Sequence, residues 1–599
     1  MTRFSIAMRR IGATVLVACC TGAEVQAQAA ARASVKAKPS TTDPRYTLKG
    51  GLTDAQEAIS NLKLIAHRAR PATFANPKDV GDYAFWNSDL AFDGKYAFQG
   101  SFNGFQIWDI SEPGNPTLRT AFPCPGGQGD LSVHGKLMFM SVEENKGRLD
   151  CGGQGVREVV SAERFRGVRI FDISDIDRPR QVAAVQTCRG SHTHTLLADP
   201  KDSANVYVYV SGTAEVRSSA ELAGCSDGSP ESDTATARFR IDVIRVPLAA
   251  PQDARIVSRP RIFADSRTNA VSGLWKGGSH GRGTQETSET DQCHDITVYP
   301  EIGLAAGACS GNGVLLDISD PANPKRVDEV IDPNFAYWHS ATFNNDGTTL
   351  LFSDEWGGGT NARCRATDRM TWGADAIFSL RNRKLTAQGH YKLPAAQSAV
   401  ENCVAHNGTL IPVPGRDIMV QAWYQGGLSV FDFTDPKKPF EIAYFDRGAI
   451  NATELKVAGF WAGYWYNGHI YGTEMGRGLD VFQLTPSEHL TQNEIDAAND
   501  VQVDGNNPQM QRKIVWSPSF SLARAYVDQL DRGKSLPAAQ VTSIRASLGM
   551  AEQQSGAMRQ TTLRALAARL DRMADRGPRD GSRVRKLSAT LKRLVNDAV

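Results

Sequence analysis

The chain has 599 residues and a mass of 65.0 kDa, too long for one ordinary compact core, so either two domains or a large β architecture with an appended domain is expected. Lys and Arg total 67 against 65 Asp and Glu, a net charge of +2 in a chain that is 41% hydrophobic. That balance excludes a nucleic-acid binder with a global basic field and excludes a disordered chain.

The amino terminus, MTRFSIAMRRIGATVLVACC, places Arg3, Arg9 and Arg10 ahead of a short apolar stretch, Ile11 to Ala18. The stretch is too short to span a bilayer, and residues 1–29 read as an export signal, giving a periplasmic or secreted protein. Two processing routes are open. The small residues around Ala27 and Ala29 suit ordinary cleavage, whereas Leu16-Val17-Ala18-Cys19 resembles a lipoprotein signal that would leave Cys19 lipidated and the protein peripherally anchored. No other run is apolar enough to cross a membrane.

Residues 30–80 are expected to be a tether rich in Ala, Lys, Ser and Thr, followed by a short helix. In that helix Thr53 or Asp54 would be the N-cap and Ile59, Leu62 and Ile65 would form one stripe.

Residues 81–484 contain a repeat. FQIWDISEPGNP (Phe105 to Pro116), VRIFDISDIDRP (Val168 to Pro179), VLLDISDPANP (Val314 to Pro324) and LSVFDFTDPKKP (Leu428 to Pro439) each end a β-branched or aromatic run in Asp, then Ile-Ser or Phe-Thr, then a Pro-rich turn. The run suits a sheet, the short polar side chains bond the turning backbone, and Pro stands where no ladder donor is needed. Weaker copies lie at Arg240 to Pro251, Ala374 to Lys384 and Gly478 to Glu488, making seven units. Short strands in units of this length, without crossover helices, predict an all-β fold, a seven-bladed β-propeller. The unit resembles the LVIVD repeat of exported or surface proteins of bacteria and archaea, over about Tyr83 to Leu484. The resemblance implies a propeller and, for most members, no assigned activity. Insertions at 144–165, 218–237, 267–291 and 357–372, rich in Gly, Ser and charge, read as loops suited to binding.

Residues 485–518 read as a linker, and 519–599 as a small α-helical bundle. Its helices are expected at 521–532, 538–553, 558–575 and 582–596, with apolar residues at three-four spacing, as in Val541, Ile544 and Leu548. Lys and Arg on the last helices read as a solvated face.

In a propeller the first strand of each blade starts beside the central channel, so equivalent positions face one axis. Aligning the strands sets Ser88-Asp89, Gly129-Asp130, His194-Thr195, His294-Asp295, His339-Ser340 and His406-Asn407 in register, with Tyr464 to Tyr466 in the last unit. Four consecutive units would thus aim an imidazole at one mouth. His194, His294, His339 and His406 are the expected metal ligands, with His192 a fifth ligand or a partner of one. Converging imidazoles suit Cu, Fe or Zn rather than Ca or Mg. Glu143, Glu355 and Glu474, which follow inner strands, are further candidates.

Cys124, Cys151, Cys188, Cys225, Cys293, Cys309, Cys364 and Cys403 follow the signal, an even number that invites disulfides in an exported protein. Spacing leaves on the order of a hundred pairings open. Cys293 and Cys403 are read as half-cystines rather than thiolate ligands, and no CxxC pair marks a zinc ribbon.

A histidine-lined propeller with an export signal is similar, in fold and site only, to the selenium-binding and methanethiol-oxidase group, which implies a copper-dependent enzyme. Two functions follow. The first is an exported binding module with a histidine-lined metal site, presenting its loops to a protein, a glycan or an envelope component. The alternative is a copper- or iron-dependent oxidase, or a metal-assisted hydrolase, working through the same histidines. Nucleophile-elbow, Walker, HExxH and dinucleotide-binding signatures are absent.

Overall fold

Each hydrophobic run of the repeat forms the third strand of an antiparallel four-stranded meander. The computed structural model describes residues 38–596 except 80, 576 and 578. The export signal, Cys19 and the tether up to residue 37 lie outside the described residues.

Sheet A comprises Asn87–Asp93, Tyr96–Ser101, Gly104–Asp109 and Thr117–Pro123. Sheet B comprises Leu131–His134, Leu137–Val142, Gly167–Asp172 and Arg180–Gln186. Sheet C runs through Thr195–Leu197, Asn205–Val210, Asp242–Pro247 and Arg255–Ser258. Sheet D runs through Asp295–Tyr299, Leu304–Cys309, Asn312–Asp317 and Lys325–Val330. Trp338–Phe343, Thr349–Asp354, Asp375–Arg381 and Lys384–Tyr391 make sheet E. Sheet F follows with Asn407–Ile411, Ile418–Ala422, Leu428–Asp432 and Phe440–Arg447. Sheet G holds Phe460–Tyr466, His469–Glu474 and Gly478–Leu484 and takes its fourth strand from Leu62–Ala69.

The turn chemistry accounts for the repeat. Asp109, Asp172, Asp317 and Asp432 each accept, through a carboxylate oxygen, the amide of the residue two positions on, at 3.0, 2.9, 2.9 and 2.7 Å. The intervening Ile110, Ile173, Ile318 and Phe433 are buried and pin the turn to the core. A first strand such as Asn87–Asp93 is buried on both faces, while a fourth strand such as Thr117–Pro123 is largely exposed, so each sheet has an inner and an outer edge. Neighbouring sheets pack face to face. Tyr299, Leu315, Trp338, Phe352 and Phe378, for example, fill the space between sheets D and E. Sheet A closes against sheet G: Gln99 Nε2 donates to Thr473 Oγ1 at 2.7 Å and Asn87 Nδ2 to the Glu474 carbonyl at 3.2 Å.

The amino-terminal segment corrects one expectation. Residues expected as a helix with Ile59, Leu62 and Ile65 on one stripe are two strands, Glu57–Ser60 and Leu62–Ala69. The first pairs with Phe440–Arg447 at the outer edge of sheet F, and the second completes sheet G. Edge strands offering unpaired backbone groups outweigh the local helical spacing.

The segment expected as a linker, residues 485–518, is likewise structured. Helix α1, Gln492–Asn499, starts with a capping box between Thr491 and Glu494. Then a strap crosses the carboxyl ends of the first strands. Gly505 and Asn506 pair with Asp93 and Phe92 of sheet A. Asn507 accepts from the Val133 amide and donates to its carbonyl, both at 2.8 Å. Gln511 does the same to Phe343, at 3.0 and 2.7 Å. The strap closes that end of the central space.

Helices α2 (Phe520–Arg532), α3 (Ala538–Gln553), α4 (Gly556–Asp575) and α5 (Gly581–Asn596) follow, sharing a core that includes Val541, Ile544, Leu548, Leu563, Leu566, Leu570, Leu587 and Leu591. They dock on sheet F through buried Glu494 of α1, which meets Arg416 at 3.1 Å and Arg532 of α2 at 2.7 Å. No helix among the described residues is long and apolar enough to cross a membrane.

Because first strands run toward the strap, the loops between second and third strands emerge at the opposite face. Three insertions, 144–165, 218–237 and 357–372, are such loops, and 267–291 leads into sheet D on the same side. Part of that last one is a hairpin, Lys276–Ser279 with Glu286–Glu289. All eight described cysteines pair: Cys124–Cys151, Cys188–Cys225, Cys293–Cys309 and Cys364–Cys403. Cys151, Cys225 and Cys364 lie within insertions, so three bridges tether long loops of the histidine face, each contributing about 2–4 kcal/mol. Four disulfides fit an extracellular or periplasmic protein.

Candidate metal centre

His192, His294, His339 and His406 stand where the first strands of sheets C, D, E and F begin, at the end of the central space remote from the strap. Each lies three residues before a threonine: Thr195, Thr297, Thr342 and Thr409. Three of these hydroxyls stitch a sheet to its successor. Thr195 Oγ1 donates to the Ile296 carbonyl, Thr297 Oγ1 to the Ala341 carbonyl at 2.7 Å, and Thr409 Oγ1 accepts the Trp465 amide at 3.0 Å. The threonines therefore fix the strand register that brings the histidines together.

The four rings form one chain. Ring centroids are 4.4 Å apart between His192 and His294, 3.9 Å between His294 and His339, and 4.3 Å between His339 and His406. In every ring Nδ1 faces a protein group. His192 Nδ1 lies 2.6 Å from Glu143 Oε1, His294 Nδ1 3.0 Å from Asp295 Oδ1, and His339 Nδ1 3.4 Å from Ser353 Oγ. His406 Nδ1 faces the Trp461 carbonyl, which can only accept, so Nδ1 carries the proton and Nε2 is a bare lone pair. The Nε2 atoms of His339 and His406 are buried without a hydrogen-bond partner, and those of His192 and His294 face each other at 2.8 Å.

Glu355 completes the cluster. Its Oε2 is 3.8 Å from His339 Nε2 and its Oε1 is 3.7 Å from His406 Nε2. These gaps are too long for hydrogen bonds. They fit two ligand atoms on a shared ion, which at metal distances near 2.0–2.2 Å lie roughly 2.9 to 4.2 Å apart depending on the bond angle. His339, Glu355 and His406 form one group of side chains able to hold an ion, and His294, Asp295 and His339 form another.

Burial holds the His339 imidazole well below its ordinary pKa and brings that of His406 down to about 3, so both are neutral, as ligation requires. Burial also opposes protonation of His192, but the Glu143 carboxylate beside it prevails and raises its pKa. The reverse holds for Glu143: burial would raise it, and His192 pulls it down. Glu355 is raised by burial, an effect that His294 and Tyr424 only partly offset. His192 and Glu143 retain side-chain exposures of 18% and 15%, against 0% for His339, so the site opens to solvent at sheets B and C.

Among the expected ligands, His194 is not brought into this chain. It is buried against sheet B, where its Nδ1 is 2.8 Å from Ser141 Oγ, and burial alone brings its pKa down to about 3. The alignment that set His194 beside His294 is out of register by two residues. A strand side chain two positions away keeps its face but moves along the strand, and His192 holds the position beside His294. The spacing H-x-x-T, present in all four segments, was the signal that identifies His192.

Of the acids, Glu143 and Glu355 belong to the cluster, whereas buried Glu474 pairs with Arg477 at 3.1 Å. Cys293 and Cys403 are disulfide-bonded and supply no thiolate. Two groups escaped the sequence reading. Gln128 Nε2 lies 2.8 Å from His192 Nε2, and the Tyr424 hydroxyl lies 2.5 Å from Glu355 Oε1. Tyr424 sits in a loop with no strand register to announce it.

Comparison with curated proteins finds no match. Solved structures give distant likenesses. A putative 6-phosphogluconolactonase from Bacteroides uniformis is 10% identical over 64% of this chain and 89% of that one, at a TM-score of 0.37. The periplasmic gluconolactonase of Pseudomonas aeruginosa is 11% identical over 65% and 89%, at 0.39. The N-terminal domain of Nup159 is 9% identical over 73% and 99%, at 0.40. Residues 87–122, all of sheet A but its last residue, match the family model of the LVIVD repeat, and the chain carries that repeat.

Proposed function

We propose that sheets A to G are the seven blades of an exported LVIVD-repeat propeller that holds a transition-metal ion, Cu, Fe or Zn, on the histidines of its central mouth. One observation carries the reading: four buried or half-buried imidazoles from consecutive sheets have Nδ1 engaged by the protein, with the Nε2 atoms of His339 and His406 buried and bare and those of His192 and His294 facing each other at 2.8 Å. Outer partners that fix the tautomer in this way are the usual companions of metal-binding histidines. Two ligand nitrogens at a right angle about an ion lie about 2.9 Å apart, close to the separation of His192 and His294.

His192, His294, His339, His406 and Glu355 would hold the ion. Bound there, it supplies Lewis-acid or redox chemistry. The chain's own residues keep the His339 and His406 imidazoles neutral by burial, orient the four rings through Glu143, Asp295, Ser353 and the Trp461 carbonyl, and leave one approach past His192. The insertions rising on that face suit the capture of a partner or substrate at the same mouth. A metal-dependent activity is favoured over a binding module with dispensable histidines, because the bare, buried Nε2 atoms of His339 and His406 both converge on one carboxylate, that of Glu355, at 3.8 and 3.7 Å.

The test is metal content by inductively coupled plasma mass spectrometry, on untagged protein purified from the periplasm. The His294→Ala/His339→Ala double variant is the companion. Near-stoichiometric Cu, Fe or Zn that disappears in the variant is the expected result. No metal in either protein, even after reconstitution, would discard the reading.

A further inference from the structure

Tyr424 is a bulky residue in the left-handed region, with φ 53°, and is 2% exposed. A side chain of this size stays there only where its surroundings impose it, and such outliers cluster at functional sites. Two glycines, themselves left-handed, impose it: Gly359 at φ 67° and Gly459 at φ 92°. A Cβ on Gly359 would lie 2.3 Å from the Tyr424 hydroxyl oxygen, and one on Gly459 would lie 2.0 Å from the Tyr424 carbonyl carbon. The Tyr424 carbonyl also accepts the amides of Gly427 and Phe460 at 3.1 and 2.9 Å. Held in this way, the ring centroid is 4.4 Å from that of His406, and the hydroxyl donates to Glu355 Oε1 at 2.5 Å.

We infer that Tyr424 is a positioning residue of the metal centre, whose hydroxyl fixes the Glu355 carboxylate so that an oxygen ligand joins the imidazoles of His339 and His406 on the ion. The inference rests on the metal-binding reading above. Among the described residues no other group hydrogen-bonds Glu355 Oε1, so without the phenol the carboxylate would be free to turn away from both Nε2 atoms. The phenol removes that freedom while adding no charge.

The experiment uses the full-length protein loaded with Co(II), read by its visible ligand-field bands and by competition with a chelator. Wild type is expected to take up Co(II) stoichiometrically. Tyr424→Phe is expected to weaken binding by roughly 10–100-fold, the usual effect of losing an outer partner, and to move the bands toward those of Glu355→Gln. Gly359→Ala leaves every ligand and the phenol in the chain but drives the hydroxyl off Glu355, so it is expected to move the bands the same way. It decides the matter alone if Tyr424→Phe does not fold. Wild-type affinity and spectrum in both variants would overturn the positioning role and leave the metal reading standing. A wild-type protein that binds neither Co(II), Cu(II) nor Zn(II) would overturn both.

Discussion

The Nε2 atoms of His192 and His294 meet at 2.8 Å across the boundary between sheets C and D, although 102 positions separate the two residues. Two residues after the first of them, His194 turns to Ser141 instead. His192→Ala is therefore expected to lose most of the bound metal. His194→Ala should keep it and lose about 2–3 kcal/mol of stability, as deletion of a buried, hydrogen-bonded ring does. Metal analysis and urea unfolding of both variants check this, and retention of metal by His192→Ala with its loss in His194→Ala would reverse the assignment.

Asp375 gives the fold a measurable pH dependence. It is buried in sheet E with Gln421 Nε2 as a donor at 2.8 Å, and burial pushes its pKa up to about 8. A carboxyl whose folded pKa is raised favours folding fully below its unfolded value, near 3.9, and loses that contribution as pH rises through 8. Asparagine mimics the protonated form. The stability of Asp375→Asn relative to wild type is thus expected to grow from pH 5 to pH 8 and then level off, as thermal melts across that range will show. A difference that does not change with pH would mean that the carboxyl is ionised throughout.

One buried carboxylate, Glu494, ties the helical unit to sheet F beside the bonds of Gln529 and Trp516 to the Pro414 and Pro412 carbonyls. Burial would raise the pKa of Glu494, but the guanidinium groups of Arg532 and Arg416 prevail and hold it at about 2. Its contribution is fully present above the ordinary carboxylate range and is lost as pH falls from there to about 2. Glu494→Ala leaves Arg532 without its carboxylate and Arg416 with Asp432 alone, and is expected to cost about 2–3 kcal/mol. Limited proteolysis should then release the segment after α1 earlier than in wild type, and unchanged proteolysis would show that the remaining contacts dock it without the carboxylate.

The strap is predicted to be a clamp on the sheets it crosses. Asn507 and Gln511 each satisfy both backbone groups of one residue at a strand end, Val133 and Phe343. Replacing either by Ala leaves a buried amide and carbonyl unpaired, at about 1–3 kcal/mol for each group. The double variant should show faster hydrogen exchange at the strand ends of sheets B and E, with metal content unaltered at the opposite end. Exchange confined to the strap itself would argue that the sheets close without it.

Much of the architecture was legible because its causes are local. In the four strong copies the Asp, a buried Ile or Phe and the Ser or Thr make an Asx turn, a unit three residues long, and the seven copies are all third strands. The three-four spacing of Val541, Ile544 and Leu548 likewise encodes the helix that buries them. Elements whose conformation depends on distant partners were not legible. Ile59 and Leu62 have a spacing that suits a helix, but the open edges of sheets F and G draw them into strands. The strap has no periodicity of its own, since its backbone is satisfied by strand ends far away in the chain.

By itself, then, the sequence determined the repeated turn, the all-β units, the helical tail and a set of histidines at strand starts, because each follows from spacing within a few residues. Which histidines share a site, and that Glu355 and Tyr424 stand among them, was decided only in three dimensions. A two-residue shift in register exchanges His192 for His194, and that register is set by hydrogen bonds between sheets, such as Thr195 to Ile296, that no local pattern contains.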